Sequence, residues 1–463
     1  MRQAAYFAPV QFAVPLVLIT AAWVLLVLQV DPVPTWFYVF VWYPTLVLLD
    51  NLASRMGRKP RLLRDGRLIV SLFGWSAVIW LVFEAVNFRL QNWYYVFLPR
   101  AGPERWAGIL LSFATVVPAI VLMERLLRAR GVAASWRTPP LSASRFDVHV
   151  ALGLGGASAA LALGWPRIFF TLVWGAAWLL ADAIVYRLDP PSSLMRDLTR
   201  GDWGRAGRLM LGGLLVGLLW ETYNYWARGK WIYTVPWLET TKLFEMPPFG
   251  FLGFPFFALE AWSMYHALCA LRVAVPLAMG GRREAASGKR KAAPKRETGT
   301  GKEHGGLQTR RVGIAVLVAA VFVVATLWGM ERLTISSTVP RLADLPGITG
   351  EQATTLRERG IRTPFALAAR DETWLAMPGE NPEDWRPAIE SARITVLRGI
   401  GHRHAGTLAA LGIDSVCGLA RSDPAVLWTQ VRSLQPIPTR RPTPAEVRVW
   451  VRAASRRCTS YPP

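Results

Sequence analysis

The sequence predicts an all-α, polytopic membrane protein: a transmembrane bundle of eight helices, a ninth transmembrane helix, and a small soluble helical domain in the C-terminal part. Three observations predict it. Apolar runs of about 20 residues, the length that crosses a hydrocarbon core about 30 Å thick, recur up to about residue 330 and then stop. Hydrophobic residues fill 52% of the 463 positions, more than a soluble chain of this size carries. The 22 Trp gather near the ends of the apolar runs, where amphipathic rings sit at headgroup level.

Taken in order, the expected spans are 8–30, 35–53, 68–90, 104–127, 146–164, 167–187, 207–227, 248–273 and 312–330. The net charge of +22 follows from topology: the connections at 54–67, 125–145 and 187–208 are rich in Arg, whereas 31–35 has no positive charge. Positive-inside bias therefore accounts for the excess without nucleic acid. It puts the N-terminus and residues 281–311 in the cytoplasm and, after nine crossings, the C-terminal domain outside it, in what is expected to be the cytoplasmic membrane of a bacterium. The first run ends in Leu-Gln-Val-Asp-Pro rather than a small-residue cleavage site, so it reads as a retained span. Segment 281–311, Gly-, Ala- and Lys/Arg-rich, reads as a disordered basic linker, either a plain tether or one that also contacts anionic lipid headgroups.

The first eight spans contain a repeat. Phe83-Glu84-Ala85-Val86-Asn87-Phe88, followed by Trp93 and Tyr95, recurs as Trp220-Glu221-Thr222-Tyr223-Asn224-Tyr225, followed by Trp231 and Tyr233; the Trp42/Asp50 spacing recurs as Trp174/Asp182. Two four-helix repeats, about 1–140 and 141–280, follow from this. An even number of spans in each relates them by a pseudo-two-fold axis along the membrane normal. Carboxylates at membrane depth are costly unless they face a partner, water or the bundle interior. Glu84 and Asn87 share a helix face, as do Glu221 and Asn224; with Glu260 and His266 they form a candidate polar site between the repeats. Asp50 and Asp182 read as packing residues, Glu245 as exposed to headgroups, and Trp93, Tyr94, Tyr95, Trp231, Tyr233 and Trp237 as an interfacial belt. The Gly- and Pro-containing run 244–260 predicts a broken helix. A Trp-x-Tyr run and an acidic apolar helix in a duplicated bundle are similar to the membrane carotenoid cyclases, which implies carboxylate proton donors, although the Pro-x-Glu-Glu signature of that family is absent.

The C-terminal part has its own repeat. Leu345-Pro346-Gly347-Ile348-Thr349, then Ala353, Leu356, Gly360-Ile361, Thr363 and Leu367-Ala368, returns 52 positions later as Arg398-Gly399-Ile400-Gly401, then Ala405, Leu408, Gly412-Ile413, Ser415 and Leu419-Ala420. With the Trp450 helix that closes it, this stretch (338–456, followed by a tail at 457–463) resembles a tandem helix-hairpin-helix family of uncharacterised function. The resemblance implies two hairpins, around Gly347 and Ile348 and around Gly399, Ile400, Gly401, His402 and Arg403, whose backbone amides meet a phosphate or dock a protein. Thr349 stands where the second glycine of the first hairpin belongs. His402 and His404 read as solvated hairpin residues; outside the cytoplasm Cys417 and Cys458 could pair in a disulfide, although unpaired thiols are the favoured reading.

No cofactor or metal is expected: nothing resembles a phosphate-binding loop, a zinc site or a nucleophilic triad. Three functions remain: a binding or transport-like membrane protein with an adaptor domain for a protein partner; a membrane enzyme acting on a lipid or isoprenoid through Glu221, Glu260 and His266; and a membrane-tethered protein that binds DNA without sequence preference.

Overall fold

The computed structural model describes residues 9–140, 148–236, 241–277, 301–378, 381–435 and 440–458, with the side chains of 301–308 excepted. Helix accounts for 73% of the chain and strand for 4%, so the all-α class stands. Helices occur at each expected place: α1 (Val10–Val27), α2 (Val33–Gly57), α3 (Gly66–Leu90), α4 and α5 (Gly102–Ala114 and Val116–Ala129), α6 (Val148–Gly164), α7 and α8 (Pro166–Phe169 and Val173–Leu188), the short α9 (Leu194–Thr199), α10 (Gly204–Trp226), α11 (Gly253–Ala270) and α12 (Gly301–Leu333).

Among the described residues, six stretches are long and apolar enough to cross a membrane: 10–27, 33–57, 66–90, 102–129, 166–188 and 309–333. Helix α6 is apolar but has only 17 residues. Helices α10 and α11 fall outside that group because they carry Glu221, Asn224, Glu260, Ser263 and His266, all buried. These two helices pack inside the bundle, where other helices rather than lipid surround their polar side chains. Helix α12 begins at Gly301, so the last eleven residues of the expected linker are helical. Lys, Gln and Arg are good helix formers, and extending an existing helix costs little. The rest of that linker, 281–300, lies outside the described residues.

The bundle has two distinct ends. At one, Asp50 accepts hydrogen bonds from Leu62 N and Leu63 N, both at 2.8 Å, while Asp182 accepts from Leu194 N (3.1 Å) and Met195 N (2.7 Å). Each aspartate thus ties the loop after its helix to the helix end. Arg125 pairs with Asp50, Arg205 with Asp197, and Arg208 with Glu124, so this end carries the Arg-rich connections. At the other end, β1 (Trp93–Val96) and β2 (Lys230–Tyr233) form an antiparallel ribbon in the register Trp93↔Tyr233 and Tyr95↔Trp231. Ser336 N donates to Tyr95 O, so the chain leaving α12 runs alongside this ribbon.

Beyond α12, two apolar clusters form the C-terminal domain. The first gathers Leu345, Leu356, Ile361 and Trp385, and the second Leu397, Ile400, Leu408 and Trp450. Local features recur 52 residues apart: Thr363 and Ser415 each cap a helix N-terminus, as do Asp371 and Asp423. Gly347, Gly360, Gly399 and Gly412 all take φ between +75° and +81°, a conformation that L side chains rarely adopt. Cys417 and Cys458 are joined in a disulfide.

Candidate functional site

At the ribbon end, the bundle holds a cavity of about 630 Å³, within the range typical of small-molecule sites. Its walls come from both halves of the bundle, with Trp80, Trp93 and Tyr95 from the first and Trp174, Trp220 and Trp231 from the second. Strand β1 is buried, with Trp93, Tyr94 and Tyr95 exposing 5%, 2% and 6% of their surface, and Trp231 and Tyr233 of β2 are half-buried in the cavity wall. These aromatics therefore do not form the interfacial belt expected from sequence. Cross-strand pairing turns one edge of the ribbon into cavity wall, and Trp237 lies outside the described residues.

The sequence-predicted carboxylates stand behind this wall rather than in it. Glu84 Oε1 accepts from Trp80 Nε1 (2.9 Å), Trp93 Nε1 (3.0 Å) and Tyr95 Oη (2.5 Å), so one buried oxygen fixes three cavity-lining rings. Glu221 Oε1 accepts from Tyr233 Oη at 3.0 Å. Asn87 closes the turn into β1 by donating to Trp93 O and accepting from Asn92 N; Asn224 does the same for β2, donating to Trp231 O and accepting from Trp231 N. The Glu-x-x-Asn face thus sets ring positions, which explains the spacing: the fourth residue along the helix reaches the chain that turns back over it.

Glu260 and His266 do not join that group. Glu260 accepts from Ala177 N at 3.1 Å, in the first turns of α8, after Trp174 has left helical geometry (ψ 37°). A break at membrane depth frees amide groups that must be satisfied within the protein, and Glu260 supplies one acceptor. Sequence reasoning missed this break; Gly175, next to Trp174, is its only local signal. The expected break in 244–260 is present as a 3₁₀ turn over Pro248–Leu252 before α11. His266 packs on Trp262 with ring centroids 4.4 Å apart, beyond Ser263, which binds Asp182 at the Arg-rich end.

Glu245, expected at the headgroups, is fully buried at the junction between bundle and C-terminal domain. Lys230 Nζ lies 3.6 Å from it and Arg398 Nη1 2.7 Å. The second hairpin docks beside this pair. Ser336 Oγ donates to Gly399 O, and a Cβ on Gly399 would meet Tyr94 Cε2 at 2.9 Å. At Gly401 (φ +62°) a Cβ would meet Ser337 Cβ at 2.5 Å. Gly399 therefore allows close approach to β1, and Gly401 close approach to Ser337 in the segment after α12, with Ile400 buried between them. The first hairpin is open: Gly347 is exposed with nothing within 4 Å of a Cβ, Ile348 is half-buried, and Thr349 caps the helix Gly350–Glu358 (α13) in a capping box with Gln352. Arg100 pairs with Asp344 nearby. Arg403 is exposed and His402 half-buried, with burial holding its imidazole below the ordinary value. His404, expected in solvent, is 1% exposed, lies on Trp450 and contacts Gln435 through Nδ1; burial pushes its pKa down to about 3.

Residues 346–457 match a family described as a domain of unknown function (DUF4332). No curated protein and no solved structure matches the chain.

Proposed function

We propose that the chain is an integral membrane binding protein whose ligand occupies the aromatic cavity between two duplicated halves of a bundle spanning residues 1–280. The observation that carries this reading is the shared wall: a cavity of about 630 Å³ with walls from both halves, its rings held from behind by Glu84 and Glu221. Duplication is supported by networks that recur in register. Asp50 and its loop amides Leu62 and Leu63 each lie 132 positions before Asp182, Leu194 and Met195. The ribbon pairs Trp93 with Tyr233 and Tyr95 with Trp231, as a two-fold axis through it requires.

In this reading the C-terminal segment, 338–456, is a tandem helix-hairpin-helix module after the helix at 312–330. Its second hairpin anchors it to the ribbon, and its first, around Gly347, faces a protein partner as an adaptor. The side of the membrane follows from charge: Arg-rich connections gather at the end opposite the ribbon, so ribbon and module face away from the cytoplasm, where the Cys417–Cys458 disulfide persists. Residues 281–311 then lie on the cytoplasmic side, where anionic headgroups attract their basic charge. The DNA reading is disfavoured because Gly399 and Gly401 face Tyr94 and Ser337. The enzyme reading is disfavoured because neither Glu260 nor His266 lines the cavity.

Purification of the full chain in mild detergent, followed by organic extraction and mass spectrometry, tests the binding reading. A molecule retained at near one per chain, and lost in Trp93→Ala with Trp231→Ala, is expected; equal extracts from both proteins argue against a cavity ligand.

A further inference from the structure

The cavity is open to the outside along one flank. Phe249, Leu252 and Phe256 line it, yet expose 69%, 62% and 42% of their surface. They stand on the 3₁₀ turn and first turn of α11, and Ser158 of α6 and Leu179 of α8 also line the cavity. The outer surface of α6 and the turn after it is apolar: Leu154, Leu163, Trp165 and Ile168 are all exposed. In a chain that crosses a membrane, such a surface faces acyl chains, and irregular backbone like 248–252 is tolerated there where it lines a cavity.

The inner wall selects by charge. Arg105 and Lys230 are the cations lining the cavity. Arg105 spends its guanidinium on both oxygens of Glu331 and on the carbonyls of Pro99 and Arg100. Lys230 donates to Tyr225 O and pairs with Glu245. Both cations are thus already paired with a buried or half-buried carboxylate. The rest of the lining is mostly apolar and aromatic, including Ile109, Phe113, Phe254 and Phe257.

Resting on the binding reading above, we infer that the ligand is a neutral lipid, and that it enters sideways from the bilayer between Phe249, Leu252 and Phe256 and the facing residues of α6 and α8. Gly175 offers a built-in plug: it lines the cavity, and a Cβ placed on it meets nothing within 4 Å, so Gly175→Phe fills space without displacing a neighbour's first contact. Gly153→Phe is the control, since Gly153 is equally unencumbered and exposed but does not line the cavity.

The test reconstitutes the full chain in phosphatidylcholine vesicles containing a photoactivatable diacylglycerol or, separately, a photoactivatable phosphatidylglycerol; labelled peptides are mapped after irradiation. Diacylglycerol adducts are expected on the peptides holding Trp174 to Leu179 and Trp220, with yield falling about tenfold in Gly175→Phe, a loss equivalent to about 1.4 kcal/mol of affinity, and unchanged in Gly153→Phe. Leu252→Trp, which adds bulk at the mouth, is expected to slow labelling in the same direction. If the cavity peptides are labelled equally by the anionic probe, or if both plugging variants label like wild type, the neutral sideways route is wrong while cavity binding stands. If neither probe reaches those peptides in wild type, the binding reading falls with it.

Discussion

Replacing Glu84 asks the most of the structure because one oxygen serves three donors. In Glu84→Ala the indole N–H groups of Trp80 and Trp93 and the hydroxyl of Tyr95 lose their common acceptor inside a buried site. At about 1–3 kcal/mol for each stranded donor, and allowing for partial relief by water from the cavity, the loss is about 3–6 kcal/mol. For a bundle of this size that is a fall in Tm of roughly 6–12 °C. Glu84→Gln keeps an acceptor oxygen at the same reach and is expected to lose only about 1 kcal/mol. Glu221→Ala strands the Tyr233 hydroxyl at 3.0 Å and is expected to fall between the two. The assay is thermal unfolding of the full chain in detergent, followed by intrinsic fluorescence, with the three variants in parallel. A Glu84→Ala protein that melts with Glu84→Gln, or a Glu221→Ala protein less stable than Glu84→Ala, refutes the assignment of these carboxylates as organisers of the cavity wall.

Gly399→Ala is expected to release the C-terminal domain from the bundle, seen as faster proteolysis between them, because it adds a clash with Tyr94 to the positive-φ penalty. Gly347→Ala, with φ +76° but open space, loses only about 1 kcal/mol and leaves the junction intact. Acidification destabilises the C-terminal domain through His404: its folded pKa of about 3 lies below the unfolded value near 6.5, so the unfolded chain binds the proton first. Stability is complete above about pH 6.5 and is lost as pH falls toward 3, by about 2 kcal/mol at pH 5, and His404→Leu is expected to flatten that slope in chemical denaturation. Reduction of Cys417–Cys458, which closes a loop with a sequence separation of 41, lowers the unfolding midpoint of the same domain by the equivalent of about 4 kcal/mol; an unchanged midpoint with dithiothreitol contradicts this.

Much of the fold is legible in the sequence because its signals are local. Runs of about 20 apolar residues mark helices, and every expected span contains one, including α10 and α11, whose buried Glu221, Glu260 and His266 lower their hydropathy. Glu84, Asn87, Glu221 and Asn224 stand out from sequence because three-residue spacing on a helix has one geometric meaning. The cavity is not legible. Trp93-x-Tyr95 reads the same whether its rings face headgroups or an interior, and the partner that decides, Trp231-x-Tyr233, is about 140 positions away. The same limit hides the Glu245–Arg398 pair and the docking of Gly399 on Tyr94: both join distant segments across the junction. Asp50 and Asp182 were legible as packing residues, since an aspartate at a helix end beside a tight loop finds backbone amides within reach.

The most direct test of the central claim is a single-particle map of the full chain in lipid nanodiscs at side-chain resolution. The account predicts an elongated ligand between Trp93, Trp174, Trp220 and Trp231, continuous with lipid past Phe249 and Leu252 and carrying no phosphate at Arg105 or Lys230. A water-filled or collapsed space there, with the aromatic rings packed on one another and the Phe249 flank closed, would contradict it.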